Sequence, residues 1–216
     1  MSEAARSRIL CRLRAARGTT APALPAWEAP TYDAEERVGR FCELLRNLHA
    51  EVYETSFADW PYRLRTILEE RGCGSVMFAP ATEAGLRLTS AWGDIGPKLV
   101  PYDKPVEELK GTLVHGVDAG FTTALAGIAE TGTLVLWPDG NEPRLLSLLP
   151  PLHIALVRAD SIVDNLPGLI RSQGWAGRMP TNVVLVSGPS KTADIEQTLA
   201  YGVHGPKELI VLVVKD

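Results

Sequence analysis

The sequence predicts an α/β fold, a mostly parallel sheet flanked by helices with a helical extension on its N-terminal side. Three observations point there. Before Gly74, apolar residues recur at helical spacing; after it, short runs of Val, Ile and Leu appear without polar alternation. Such runs describe strands covered on both faces, which is the habit of parallel strands. Helical stretches separate several of the runs, as crossover connections require. The expected division is an extension and linker over residues 1–73, packed on an α/β body over 74–216 as one globular unit.

Residues 1–17, MSEAARSRILCRLRAAR, set Arg6, Arg8, Arg12, Arg14 and Arg17 against Glu3, with Ile9, Leu10 and Leu13 as a small apolar stripe. A short helix lying on the domain accounts for this pattern; so does a transit segment or an arm that touches a partner. Gly18 to Pro30, with Pro22, Pro25 and Pro30, reads as an extended linker tacked down by Trp27. Val38, Phe41, Leu45, Leu48 and Val52, spaced 3, 4, 3 and 4, predict one long amphipathic helix from Asp33, with Glu35 and Glu36 in its favoured first turn. A second helix is expected from Asp59, as N-cap, through Pro61 to Glu70, ended by RGCG.

SVMFAP then reads as a buried strand leading into a helix near Thr82–Leu88. Further strands are expected at KLVPY, TLVHGV, GIA, TLVLW, HIALV, VVLV and LIVLVV, and helices near Asp118–Ala126, Pro143–Leu148, Ser161–Arg171 and Thr192–Tyr201. The stretch AGFTTALAGIAETGTLVLW stands apart. Its two runs, separated by Glu130-Thr131-Gly132, suggest a kinked or hairpin-like strand entry and not a crossover.

The chain has 216 residues, 45% hydrophobic and 22% charged, enough for one domain with a sizeable core. Its net charge is -4, and only the N-terminus is basic, which argues against a general nucleic-acid binder. Cys11, Cys42 and Cys73 are far apart in sequence and form no CxxC pair, so no local zinc knuckle or iron–sulfur motif is present. Sparse cysteines suit a reducing, cytoplasmic setting. No apolar run approaches the roughly 18 residues that would cross a bilayer, and RIL is too short for a secretory signal.

Two stretches carry candidate chemistry. Ser187-Gly188-Pro189-Ser190-Lys191-Thr192 follows a buried run and precedes an expected helix. Its hydroxyls, ammonium and helix N-terminus suit an anion, at the strand end where α/β ligands gather. It lacks P-loop spacing. Asp194 and Glu196 already complement the helix dipole, so a capped chain reversal explains the loop equally well. Glu130, with Thr131 and Gly132, sits between two buried runs; there a carboxylate is either paired with an arginine or aimed into a cleft as nucleophile or base. Asp118 reads as a helix N-cap. Gly202 to Pro206 reads as a helix stop at the sheet edge opposite the Ser187 loop, and His49, His115, His153 and His204 lack metal-ligand spacing.

GIAETGTLVL, LLPPLHIALVRADSIVDNL and SGPSKTADIEQTLAYGVHGPKELIVLVV together resemble the lactate-utilization protein C (LUD domain) family, over at least Gly111 to Val214. The resemblance implies a fold similar to the glucosamine-phosphate isomerase, ribose-phosphate isomerase and CoA-transferase group (NagB/RpiA-like). It also implies work in oxidising L-lactate to pyruvate beside two partner proteins with cysteine-rich or iron–sulfur motifs. This chain has no such motif, so the expectation is a non-redox subunit without its own cofactor, binding a small anionic ligand or stabilising the assembly. The alternative is a free-standing acyl-CoA- or sugar-phosphate-handling enzyme using Glu130. The expected ligand contacts are Ser187, Gly188, Ser190, Lys191, Thr192, Thr131 and Gly132, facing one cleft with Glu130 at the C-terminal edge of the sheet.

Overall fold

The computed structural model describes residues 3–16, 28–93, 96–193 and 199–215. Helix α1 (Glu3–Ala15) buries none of its residues. Ile9 and Leu13 are exposed, so this helix does not lie with its stripe on the body. The linker reading falls mostly outside the described residues. Helix α2 (Ala34–Asn47) is capped by Asp33, whose Oδ1 accepts from the Glu36 N–H at 2.8 Å. It then stops a turn earlier than its spacing predicts. His49 adopts φ 68° and the chain enters strand β1 (Glu51–Ser56). Val52 therefore belongs to a strand: its partner across the ladder is Val211, and pairing with the apolar C-terminal strand overrides local helical spacing.

Helix α3 (Trp60–Glu70) buries Trp60, Leu64, Ile67 and Leu68. Pro61 sits in its first turn, but Asp59 does not cap it and bonds Ser56 Oγ instead. Strand β2 (Ser75–Phe78), helix α4 (Glu83–Trp92) and strand β3 (Lys98–Pro101) follow as read. Thr82 Oγ1 accepts from the Gly85 N–H at 3.0 Å, and a Cβ on Gly85 would stand 2.0 Å from the Ala79 carbonyl oxygen, which brings α4 tight against the end of β2.

The next segment exchanges two expectations. TLVHGV is not a strand: helix α5 (Val106–Gly111) continues into a π-helical turn at Thr112–Gly116. Asp118–Ala126 is not a helix: it holds strand β4 (Ala119–Thr123) and opens strand β5 (Ala126–Ile128). Asp118 caps no helix. Its Oδ2 accepts from the Gly74 and Ser75 N–H groups, each at 2.9 Å, fastening the start of β2 beside β4. The small residues of AGFTT fit strand positions with no room for a helix; a Cβ on Gly120 would lie 2.3 Å from the Leu146 carbonyl oxygen.

Strand β6 (Thr133–Leu136) folds back on β5 as an antiparallel hairpin, the entry expected around Glu130. A 3-10 turn (Arg144–Ser147), strand β7 (Leu152–Arg158), strand β8 (Ile162–Val163) and helix α6 (Leu166–Ser172), capped by Asn165, come next. Strands β9 (Val184–Val186), β10 (Lys191–Ala193), β11 (Leu199–Tyr201) and β12 (Glu208–Lys215) complete the described chain.

Six strands form one parallel sheet in the order β1-β12-β7-β4-β2-β3. Helices α3 and α4 cover one face around Trp60, Leu64, Phe121, Ile154 and Leu212. The other face is covered by α2 and by a second, four-stranded sheet in the order β8-β5-β6-β9, with Phe41, Leu45, Leu134 and Val211 in the seam. Leu113 and Leu109 pack beneath Met77 on that side. No described helix is long and apolar enough to cross a membrane.

Candidate functional site

Strands β7 and β12 start side by side, Leu152 in register with Glu208 and His153 with Leu209. At this N-terminal edge opens a cavity of about 200 Å³, bordered by Ser147, His153, Ser187, Gly188, Ser190 and His204 among others. His153 is 1% exposed and shares a 2.8 Å hydrogen bond between its Nε2 and Thr122 Oγ1. Burial pushes its imidazole down to about 4, so the ring is neutral at pH 7.

The Ser187 loop reaches this place because β9 leaves the parallel sheet. It pairs antiparallel with β6, which sets Ser187 beside Thr133. Ser187 Oγ and Thr133 Oγ1 are 2.8 Å apart, and Thr133 Oγ1 and Thr131 Oγ1 2.7 Å, so three hydroxyls form a chain. Both turns lean on the end of α2. A Cβ on Gly188 would stand 2.7 Å from the Leu48 carbonyl oxygen, and one on Gly132, at φ +61°, 2.5 Å from Leu44 Cβ.

Three expectations are corrected here. The loop lies at the N-terminal edge of the parallel sheet, not the C-terminal one, because the strand before it belongs to the other sheet. Residues 191–193 and 199–201 are paired strands where a helix was expected, so among the described residues no helix N-terminus backs the loop; Asp194 and Glu196 lie outside the described residues. The Gly202–Pro206 turn sits beside the loop and not at the opposite edge: the Ser190 N–H donates to the Pro206 carbonyl and the Gly202 N–H to the Ser190 carbonyl, each at 2.9 Å.

Of the expected contacts, Ser187, Gly188 and Ser190 border the cavity. Thr131 and Gly132 buttress it through Thr133 and α2. Lys191 and Thr192 pass into β10, with Lys191 exposed. Glu130 borders neither this cavity nor the next; its N–H donates to the Asp164 carbonyl at 2.9 Å.

The C-terminal edge carries a second cleft, of about 210 Å³, that sequence reading did not assign. Its walls include Phe57, Trp60, Leu156 and Val214, with Arg87 and Arg158 among the polar groups. Arg87 lays its guanidinium 4.1 Å over the Phe57 ring centroid, and its buried Nε has no hydrogen-bond partner among the described residues. Arg158 pairs with Asp160 through Nη2 at 2.8 Å. Thr123, also in the wall, donates its N–H to Glu142 Oε1 at 2.8 Å; burial pushes the Glu142 carboxyl up to about 7 against that bond. The signal was present in SVMFAPATEAGLRL, a strand, a Thr cap and a helix, had the sheet-edge rule been applied to that loop. Among the described residues no group of three or more His, Cys, Asp and Glu is placed to hold a metal ion.

The model of the LUD domain family matches residues 38–214. An uncharacterized protein of Neisseria meningitidis serogroup B is 34% identical over 97% of this chain and 93% of the relative. Lactate utilization protein C 1 of Bacillus mycoides is 34% identical over 84% of this chain and 80% of its own, and lactate utilization protein C of Bacillus subtilis is 30% identical over 97% and 94%. A DUF162 family protein from Deinococcus radiodurans shares the fold, with a TM-score of 0.64 at 24% identity over 85% of this chain and 99% of that one. With a family match across most of its length and relatives covered nearly end to end, this chain belongs to the LUD domain family.

Proposed function

We propose that this chain is a non-redox subunit of a cytoplasmic system that oxidises L-lactate to pyruvate, and that it holds a small anionic ligand at the N-terminal-edge cavity. The observation that carries the reading is convergence. The two segments that most resemble the lactate-utilization protein C family, 129–134 and 187–192, are far apart in sequence yet are joined by the Ser187–Thr133 hydroxyl bond beside one cavity. Relatives named for lactate utilization support the pathway.

The ligand chemistry follows from the lining. Ser187 and Ser190 offer hydroxyl groups, and neutral His153 stands beside them without adding charge. The exposed Lys191 and Lys207 follow directly in sequence on the lining residues Ser190 and Pro206, outside the lining itself. Lactate and pyruvate, with one carboxylate and one further oxygen, match such donors in kind.

Lactate oxidation removes two electrons, and they must go to a carrier. The thiols here are not paired for that work: Cys11 is exposed on α1, Cys42 is buried on the inner face of α2, and Cys73 packs on the other face of the main sheet. Two partner proteins with cysteine-rich or iron–sulfur motifs supply the electron path in this reading. The test is purification from the native host, both alone and with co-eluting partners, with iron assay and lactate-dependent dye reduction on each fraction. Turnover confined to an iron-containing complex that includes this chain is expected. Steady turnover of lactate by the isolated, iron- and flavin-free chain overturns the reading.

A further inference from the structure

We infer that the C-terminal-edge cleft is a second binding site, separate from the cavity above, and that it takes a monocarboxylate with a short apolar body. The cleft lies where the β1, β4, β7 and β12 strands end, on the face covered by α3 and α4. The Ser187 cavity lies at the strands' other ends, on the opposite face. Open parallel sheets collect ligands at strand C-termini, so the cleft's position already favours binding.

Its chemistry narrows the ligand. Phe57, Trp60, Leu156 and Val214 make most of the wall apolar, which excludes a small, fully hydrated anion as the best occupant. Arg87 supplies one cationic head. The guanidinium is fixed against the Phe57 face, and its Nε–H lacks an acceptor among the described residues. A planar carboxylate fits that fork, whereas an ammonium or a neutral tail does not. Glu83 also borders the cleft and Arg158 is engaged by Asp160, so the local charge suits a single negative charge better than a phosphate dianion. The space equals roughly seven water volumes, room for a chain of about six carbons. The two cavities are nearly equal in volume, about 210 and 200 Å³, so lining and not size separates their ligands: the serine hydroxyls of the other cavity suit lactate, and the aromatic and aliphatic wall here suits the longer acid.

Calorimetry on the full chain with butanoate, hexanoate and hexanamide tests this. Hexanoate is expected to bind in about the millimolar range, as suits so small a ligand. Affinity should rise about fourfold for each methylene buried between butanoate and hexanoate. Hexanamide, equal in shape and uncharged, should bind about tenfold or more weakly, and Arg87→Gln should lose hexanoate to the same degree. Ser190→Ala should leave hexanoate affinity unchanged. No saturable hexanoate binding overturns the inference, as does equal binding of acid and amide, which needs no variant to fold. Loss of hexanoate in Ser190→Ala with retention in Arg87→Gln also overturns it and assigns the acid to the other cavity.

Discussion

The two edges of the parallel sheet are built for opposite kinds of stability. At the N-terminal edge polar groups satisfy each other: Thr131, Thr133 and Ser187 share hydroxyl bonds, His153 bonds Thr122, and two glycines let the turns press on α2. At the C-terminal edge polar groups stand over apolar walls, Arg87 Nε without an acceptor among the described residues and Glu142 buried beneath Thr123 with its pKa raised. A site whose walls satisfy one another presents a fixed shape to its ligand, whereas one left partly unsatisfied is completed by the ligand itself.

The sharpest way to break this comparison is steric. Gly85→Ala brings a Cβ within 2.0 Å of the Ala79 carbonyl at the floor of the C-terminal loop, and Gly188→Ala brings one to 2.7 Å of the Leu48 carbonyl. Both contacts are to backbone, so neither yields cheaply. Denaturant unfolding should show Gly85→Ala losing about 3 kcal/mol or more, and Gly188→Ala less, about 1 to 2 kcal/mol.

The edges should also respond to pH in opposite directions. His153 falls from 6.5 to about 4 on folding, so the unfolded chain binds the extra proton; the stability is present above pH 6.5 and is lost as pH drops through 4. Glu142 rises from 4.5 to about 7, so the folded chain binds the extra proton; its stability is present below 4.5 and is lost as pH rises through 7. Each effect is on the order of 3 kcal/mol at most. Unfolding measured from pH 4 to 8 should show His153→Gln flattening the acid side and Glu142→Gln flattening the approach to neutrality. Identical pH profiles for wild type and both variants would contradict the burial assigned to these groups.

The smallest effect concerns the Ser187 loop. Ser190→Ala removes one neutral donor and should weaken L-lactate or pyruvate binding about fivefold. Lys191→Ala, an exposed cation that does not border the cavity, should weaken it by about fivefold at most.

Much of the fold was legible in the sequence because burial on both faces leaves a plain mark. The runs SVMF, HIALV and LIVLVV became parallel strands, and helices begin at Asp33 and Thr82 as expected, whereas the two expected caps, Asp59 and Asp118, bond elsewhere. The failures share one cause, that local pattern cannot see the partner strand. Val52 continues the helical spacing of α2, yet it lies in β1, which β12 claims as a strand. VVLV looked like one more parallel strand, yet β6 claimed it in antiparallel sense, and that single change moved the Ser187 loop to the other edge of the sheet. The meeting of Ser187 with Thr133 was foreseeable only as shared family resemblance, and Arg87 was invisible because a half-exposed arginine on a helix carries no periodic signal.

The central claim is that the two edges are separate sites with different ligands. Backbone amide shifts of the isotopically labelled chain, titrated with pyruvate and then with hexanoate, test it most directly. Pyruvate is expected to move amides at Ser147, Ser187, Gly188, Ser190 and Gly205, and hexanoate a disjoint set at Phe57, Thr82, Arg87, Thr123 and Ala124. Both acids shifting one common set, at either edge, would contradict the account.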